Sequence, residues 1–499
     1  MIEGNAALPD PRPRPVYPRR PVLFPTVAFA LFFVVAFTLN WLLRPTYRVW
    51  QVVMIALSLW FYAAAEPKFV ALLVASAIAN WAFGAAIFRA MPDRAPTPAS
   101  RNLVRAAVAV NLVVLAFFKY YGFFVTSVSD ALDSIGLGLD PPLLSVLLPV
   151  GISFFTFHAI SYVIDISRGE LEPMGLGDFT LYLSFFPHLV AGPIVRASEF
   201  VPQLRRRADP RQVETAEAFR LIAAGLFKKV VISSFLATNI VDPVFGVPGA
   251  HGRLELLVGV YAYAIQIYAD FSGYTDIAIG CALLLGFRFP QNFDAPYRAL
   301  SLQDFWRRWH MTLSRWLRDY LYIPLGGSRG TERRTYRNLA LTMLLGGLWH
   351  GAAWTFVVWG AIHAGVLALE RLGRGWWAER VGAPILPTRV STVIRWFVTF
   401  HVVCLAWIFF RSDSLGTAFE MLGGIVAGTG PNTLVTALVL ITVAVSIASQ
   451  FVPPVVVRHA ELRFGNLTPA MQGVALAAAL TVIDALGPVG VAPFIYFQF

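Results

Sequence analysis

Uncharged apolar runs alternate with short basic connections along almost the whole chain. The runs cover Leu23 to Leu43, Val49 to Ala65, Phe69 to Phe88, Ala106 to Phe118, Leu143 to Ile164, Leu181 to Ile194, Phe219 to Ile240 and, with a polar interruption, Leu254 to Phe287. Beyond a region carrying two histidines, they resume at Val393 to Phe410, Thr433 to Val452 and Met471 to Leu486. A helix needs about 20 apolar residues to cross the hydrocarbon core. The pattern therefore predicts about eleven to thirteen crossings, the spread depending on whether short and interrupted pieces span or re-enter. No short apolar stretch with a small-residue cleavage site precedes Leu23, so the first run reads as a retained helix rather than a cleaved signal. Residues 1–22, rich in proline and arginine, read as a disordered basic tail, and residues 23–499 as a single membrane domain. No repeat at a fixed period is visible, which weakens an inverted-repeat transporter reading.

Composition agrees with the pattern. The chain is 57% hydrophobic and 14% charged with a mean hydropathy of +0.63, whereas about a quarter of the residues of a soluble protein are charged. The fold class expected is an all-α polytopic membrane protein. A net charge of +11 does not argue for nucleic acid, because the arginines sit in the loops between apolar spans, where membrane topology requires them. Arg44, Arg48, Arg89, Arg94, Arg101 and Arg105 belong to loops two helices apart and so to one face. The tail arginines Arg12, Arg14, Arg19 and Arg20 fall on the other. The positive-inside tendency puts the loops, with the clusters at Arg205 to Arg211 and Arg298 to Arg337, in the cytoplasm. Cys281 and Cys404 lie in apolar runs, which leaves neither a disulfide framework nor a metal-ligand spacing.

Polar residues inside the apolar runs are costly and therefore informative. In VYAYAIQIYADFSGYTDIAIG the run is interrupted by Asp270, Ser272, Gly273 and Asp276. At 100° per residue the two aspartates stand about 120° apart, a poor arrangement for a shared-proton pair. A buried ion pair with one of the loop arginines accounts for them equally well. Next, GFRFPQNFDAPYRALSLQDFWRRWH places Asn292 in a proline-broken stretch ahead of a helix that starts near Ser301, with Ser301 as N-cap and Asp304 as its acidic partner. Continued as one helix, Arg307, Arg308, Arg315 and Arg318 share an arc of about 100° opposite Leu302, Phe305, Trp309, Leu313 and Trp316, the pattern of a helix lying along an interface. His310 falls at the edge between the faces, where it either snorkels to the headgroups or borders a groove. The basic face suits anionic lipid and equally a phosphate-rich donor.

His350, in MLLGGLWHGAAWTFVVWG, has no charge within a dozen residues. An imidazole so placed is hydrogen-bonded across helices or faces a cavity. Kept neutral by its surroundings, it can take the proton of a hydroxyl that attacks a thioester. Gly346, Gly347 and Gly351 make the backbone beside it approachable. His363 stands about 220° further round the same helix and reads, like His158, His188 and His401, as structural.

The stretches FFPHLVAGPIVR, DFSGYTDIAIG, PQNFDAPYRALSLQDFWRRWHMTLSRWLRDYLYIPLGG and LLGGLWHGAAWTFVVWGAIH resemble the membrane-bound O-acyltransferase family over residues 150–364. The likeness is greatest to its bacterial branch of alginate O-acetylation and teichoic-acid D-alanylation components, and the ending PFIYFQF is similar to the alginate type. The resemblance implies a helical bundle with re-entrant and interfacial helices around a tunnel. It also implies a catalytic His350 and a second histidine, His310, nearer the cytoplasmic mouth. Arg307, Arg308, Trp309, Arg315, Asp276, Ser272, Asn292 and Trp349 become the candidates for donor binding and tunnel lining. No bound cofactor is implied; the co-substrate is an acyl-coenzyme A or acyl-carrier thioester. The partners are membrane lipid, that donor, a separate extracytoplasmic acetyl-handling protein and polysaccharide machinery, in a bacterial inner membrane. The expected reaction carries an acetyl group to a hydroxyl of an exported polysaccharide. Alternatives are a lipid or secreted small-molecule acceptor, a proton-coupled exporter with Asp270, Asp276, His310 and His350 as a relay, and a non-catalytic scaffold.

Overall fold

The computed structural model describes residues 24–138, 144, 146–206, 209–381, 389–487 and 495. The basic tail and most of the aromatic ending lie outside the described residues. Among those described the regular structure is helical, and the sole extended pairing is a bridge between Gly252 and Thr429. Among the described residues eight helices are long and apolar enough to cross a membrane, nine if one bent pair counts as a span, and three shorter apolar helices accompany them. The shorter helices include those formed by the runs at Leu23 to Leu43 and Leu143 to Ile164, while the run at Leu181 to Ile194 is divided between two short helices and does not form a span of its own.

The first four helices establish two faces. α1 (Val27–Leu43), α2 (Tyr47–Ala65), α3 (Val70–Arg89) and α4 (Pro98–Ser134) run up and down. Their turns therefore alternate between an arginine-rich face, carrying Arg44, Arg48, Arg89 and Arg94, and an opposite face carrying Glu66 and Lys68. Thr26 caps α1, and Thr97 with Ser100 forms a capping box on α4. The sequence placed the α4 run between Ala106 and Phe118, but the helix has 37 residues and continues through Lys119.

After α5 (Ile152–Ser167), which begins later than the run from Leu143 because Pro149 and Gly151 break it, the chain makes a re-entrant hairpin. α6 (Leu176–Ser184) enters, α7 (Phe186–Leu189) forms the tip, residues 190–196 return, and α8 (Ala197–Arg205) follows. Both ends are tied to the arginine-rich face: Asp178 accepts from Tyr47 and Gln51, and Arg196 pairs with Asp319 at 2.5 Å. At the tip Gly151 packs so close to the Leu189 carbonyl that a Cβ there would stand 2.8 Å from it, and its φ of +75° also suits glycine alone.

α9 (Thr215–Leu226) continues through π-helical segments at Phe227–Ser233 and Ala237–Val241, which flank α10 (Ser234–Leu236), into α11 (Asp242–Gly246). It packs along α12 (Arg253–Leu284), which stays an uninterrupted 32-residue helix through Asp270 and Asp276. Their partners are not loop arginines but two adjacent lysines of the π segment. Lys229 pairs with Asp270, buried on both sides, and Lys228 pairs with Asp276 at 2.6 Å. A π turn shifts the angular register, so neighbouring lysines meet two carboxylates set apart on α12. The backbone N–H of Ile495 also donates to Asp270, at 2.9 Å.

α13 (Leu302–Trp306) and α14 (Met311–Leu317) lead through a π turn at Arg318–Tyr322 to α15 (Glu332–His350), and α16 (Trp354–Val381) returns beside it. Burial works against the charge of Asp319 in that turn, but hydrogen bonds from Arg318 and Arg196 outweigh it and hold the carboxyl below its ordinary range. α17 (Arg389–Arg411), α18 (Leu415–Ala427), α19 (Ala437–Ser449), α20 (Pro454–Gly465) and α21 (Pro469–Leu486) complete the chain, with α19 and α20 meeting at 93°.

Candidate active site

Ser301 caps α13 as the sequence suggests, its hydroxyl accepting from Asp304 N at 3.0 Å. The continuous amphipathic helix expected beyond it does not form. At His310 the backbone turns left-handed (φ 42°, ψ 53°) and separates α13 from α14. The upstream loop supplies the bonds that the helix forgoes: Met311 N donates to Asn292 O and Asp294 N to Arg308 O, each at 2.9 Å. The side chain of Asn292 adds an acceptor for Thr312 N at 3.2 Å and Thr312 Oγ1 at 2.9 Å. These replacements sustain a backbone conformation that costs a non-glycine residue about 1–2 kcal/mol.

The break also removes the single cationic face. Arg308 is bound to Asp304 at 2.9 Å and Asp294 at 3.1 Å, and Arg315 to Glu199 at 3.1 Å. Arg307 stays exposed and, among the described residues, forms no ion pair. His310 itself is fully buried rather than snorkelling at an edge. Trp309 is buried too, against Phe293, Phe305 and Trp407.

Burial of His310 comes with a fixed tautomer. Asn292 Oδ1 already accepts from a backbone N–H, so it cannot be the amide nitrogen, and His310 Nδ1, 3.2 Å away, must donate to it. His310 Nε2 is then a lone-pair acceptor, buried and without a hydrogen-bond partner among the described residues. Its ring lies against Phe271 and, with centroids 6.0 Å apart, Trp349.

Trp349 is the neighbour that the two histidines share, its ring standing 5.0 Å from that of His350. His350 is the last residue of α15 and also touches Trp359 and Phe410. Since α15 ends there, the angular count from His350 to His363 along one helix does not apply. Both imidazoles instead contact the Trp359 ring, at 5.1 and 4.5 Å. His363 Nδ1 accepts from Trp306 Nε1 at 3.2 Å. The nearby glycines serve helix packing: a Cβ on Gly347 would strike the Phe356 carbonyl, and one on Gly360 would stand 2.6 Å from the Met343 carbonyl.

A cavity of about 170 Å³ reaches His350. Glu66, Lys119, Leu148, Gly151, Ser153, Val190 and Trp349 contribute to its wall, and so does Leu147, which is exposed. Glu66 ends α2, whose 19 residues span about 28 Å from the arginine-rich turn, so this cavity belongs to the opposite face. Asp276 and Ser272 are not part of it, being hydrogen-bonded to Lys228, and the carboxylates of the relay imagined for an exporter are each held by a lysine. Lys119, Glu66 and the Lys228–Lys229 pair escaped the sequence reading. A lone lysine just past an apolar run, with none of its own sign beside it, was the signal available for Lys119.

A profile of the MBOAT (membrane-bound O-acyltransferase) family matches residues 143–411, which contain both histidines and the helix broken at His310. The chain belongs to this family. It is 40% identical over 402 residues to the probable alginate O-acetylase AlgI of Azotobacter vinelandii, covering 80% of this chain and 77% of the relative. It is 36% identical over 400 residues to the peptidoglycan O-acetyltransferase of Helicobacter pylori, covering 75% and 73%. To the teichoic acid D-alanyltransferase of Bacillus subtilis it is 28% identical over 276 residues, covering 52% and 68%. As a multi-pass member of this family, the chain resides in the bacterial inner membrane. The family's chemistry is acyl transfer to oxygen, which the geometry of a neutral histidine beside a cavity can serve.

Proposed function

We propose that this membrane-bound O-acyltransferase carries an acetyl group from a cytoplasmic thioester, coenzyme A or an acyl carrier, to a hydroxyl of an exported polysaccharide, directly or through an extracytoplasmic partner protein. One observation carries the reading: His350 stands at a cavity on the face opposite the arginines, and shares Trp349 with a tautomer-fixed His310 behind the arginine-bearing break. The alginate and peptidoglycan acetylation named for its relatives supports both the acetyl group and the polymer acceptor.

In this reading the donor approaches from the arginine-rich face, where exposed Arg307 is free to meet its phosphates, and its arm passes Trp309. An amide N–H of the arm donates to His310 Nε2. The acceptor hydroxyl enters by the opposite cavity and gives its proton to a ring nitrogen of His350 as its oxygen bonds to the thioester carbon. The C–S bond then breaks and the thiolate takes up the proton, leaving an ester, a thiol and a neutral imidazole. An acyl-imidazole on His350, passed on to a partner's serine, satisfies the same geometry. The test is acetyl transfer in a deletion strain complemented with His350→Ala. Loss of polymer acetylation by about 100-fold or more, at unchanged protein level and melting temperature, supports the proposal; retained acetylation ends it.

A further inference from the structure

The last four carbonyls of an α-helix have no partner within it, and helix ends fray, yet α15 places His350 at its final position. Three of the four are taken by two consecutive residues of α4. Tyr120 Oη donates to Leu348 O at 2.8 Å, and the Lys119 ammonium donates to Trp349 O and, at 3.2 Å, to His350 O. Gly351 N closes on Gly347 O at 3.4 Å. The third proton of Lys119 reaches Ser153 Oγ at 3.4 Å, and its Nζ stands 5.7 Å from the centre of the Trp349 ring. A cation is favoured at a helix C-terminus, where the peptide dipoles sum to a partial negative charge. After His350 the chain leaves the helix in an extended conformation at Gly351.

We infer that Lys119 and Tyr120 form a clamp from α4 that holds the carboxyl end of α15 and so positions His350 between donor and acceptor. They are positioning residues for the transfer, and the inference rests on the function proposed above. A flexible ammonium gripping two carbonyls fixes the backbone of Trp349 and His350 together, so the contact shared with His310 and the cavity wall are set by one bond system. Lys119 is also part of that wall, so the residue that grips the end of α15 borders the same cavity as His350.

The test uses membrane vesicles carrying the full chain, acetyl-coenzyme A as the donor probe, and thiol release and acetylated polymer as readouts. A small misplacement of a catalytic group costs about 100-fold, so Lys119→Met is expected to lower kcat by that order while the donor KM stays within about two-fold. Lys119→Arg, which keeps the cation and its donors, is expected to restore kcat to within about ten-fold of the parent. Loss of one neutral hydrogen bond in Tyr120→Phe is expected to cost about five-fold in kcat, and this variant decides the matter if Lys119→Met does not fold. Parental kcat in folded Lys119→Met, equal loss in Lys119→Met and Lys119→Arg, a defect confined to KM, or, where Lys119→Met is unfolded, parental kcat in Tyr120→Phe overturns the clamp. His350→Ala in the same vesicles separates the two readings: activity there removes the proposed function itself, whereas a dead His350→Ala beside an intact Lys119→Met removes the clamp alone.

Discussion

At the scale of single residues, His310 shows how a side chain and its backbone are fixed together. Its left-handed conformation is tolerated by asparagine and resisted by β-branched residues. His310→Asn is therefore expected to lose transfer at a smaller cost in melting temperature than His310→Val, which adds about 1–2 kcal/mol of backbone strain. Asn292 is the residue that makes this possible, since one oxygen serves Thr312 N, Thr312 Oγ1 and His310 Nδ1. Asn292→Ala is expected to cost about 1–3 kcal/mol, the penalty for buried donors left unpaired, read as a drop in thermal stability in detergent. The role of Ser301 was legible in the sequence because a cap and its target are three residues apart. The break at His310 was not, because the atoms that allow it arrive from a loop 18 residues upstream.

Between elements, the outcome is decided by how closely backbones approach and how charges are matched. α15 and α16 meet at Gly347 and Gly360 with no space for a methyl group. Gly347→Ala is expected to destabilise the hairpin by about 1–3 kcal/mol and to displace His350, so acetylation should fall with the melting temperature. Across α12 and the π segment, Lys229 and Asp270 are both almost inaccessible. Removing one partner leaves an uncompensated buried charge, so Lys229→Met alone is expected to cost about 3–5 kcal/mol. The double variant Lys229→Met with Asp270→Leu should recover most of it, as measured by a double-mutant cycle of thermal unfolding. The angular separation of the two aspartates was readable from helical geometry and was right about their not sharing a proton. Which residues would answer them was not, because a π turn moves neighbours off the 100° wheel.

Over the whole molecule, the two faces defined by α1 to α4 set the direction of transfer. With the arginine-rich face in the cytoplasm, a membrane-impermeant maleimide added outside intact spheroplasts should label Lys68→Cys and spare Arg211→Cys, and the native Cys281 and Cys404 are too buried to interfere. Labelling of the opposite set would reverse the donor and acceptor sides. The amino-acid sequence alone determined that this is an all-helical membrane protein, that it resembles the O-acyltransferases, and that His310 and His350 are the candidates for its chemistry, since hydropathy, charge and short motifs are local properties. Tertiary structure decided that Leu181 to Ile194 turns back, that the arginine helix is broken, that the glycines near His350 face a helix, and that Lys119 ends against the carbonyls of α15. Each of these depends on groups far apart in the chain satisfying one another where water cannot, and no local pattern encodes which distant partner will arrive.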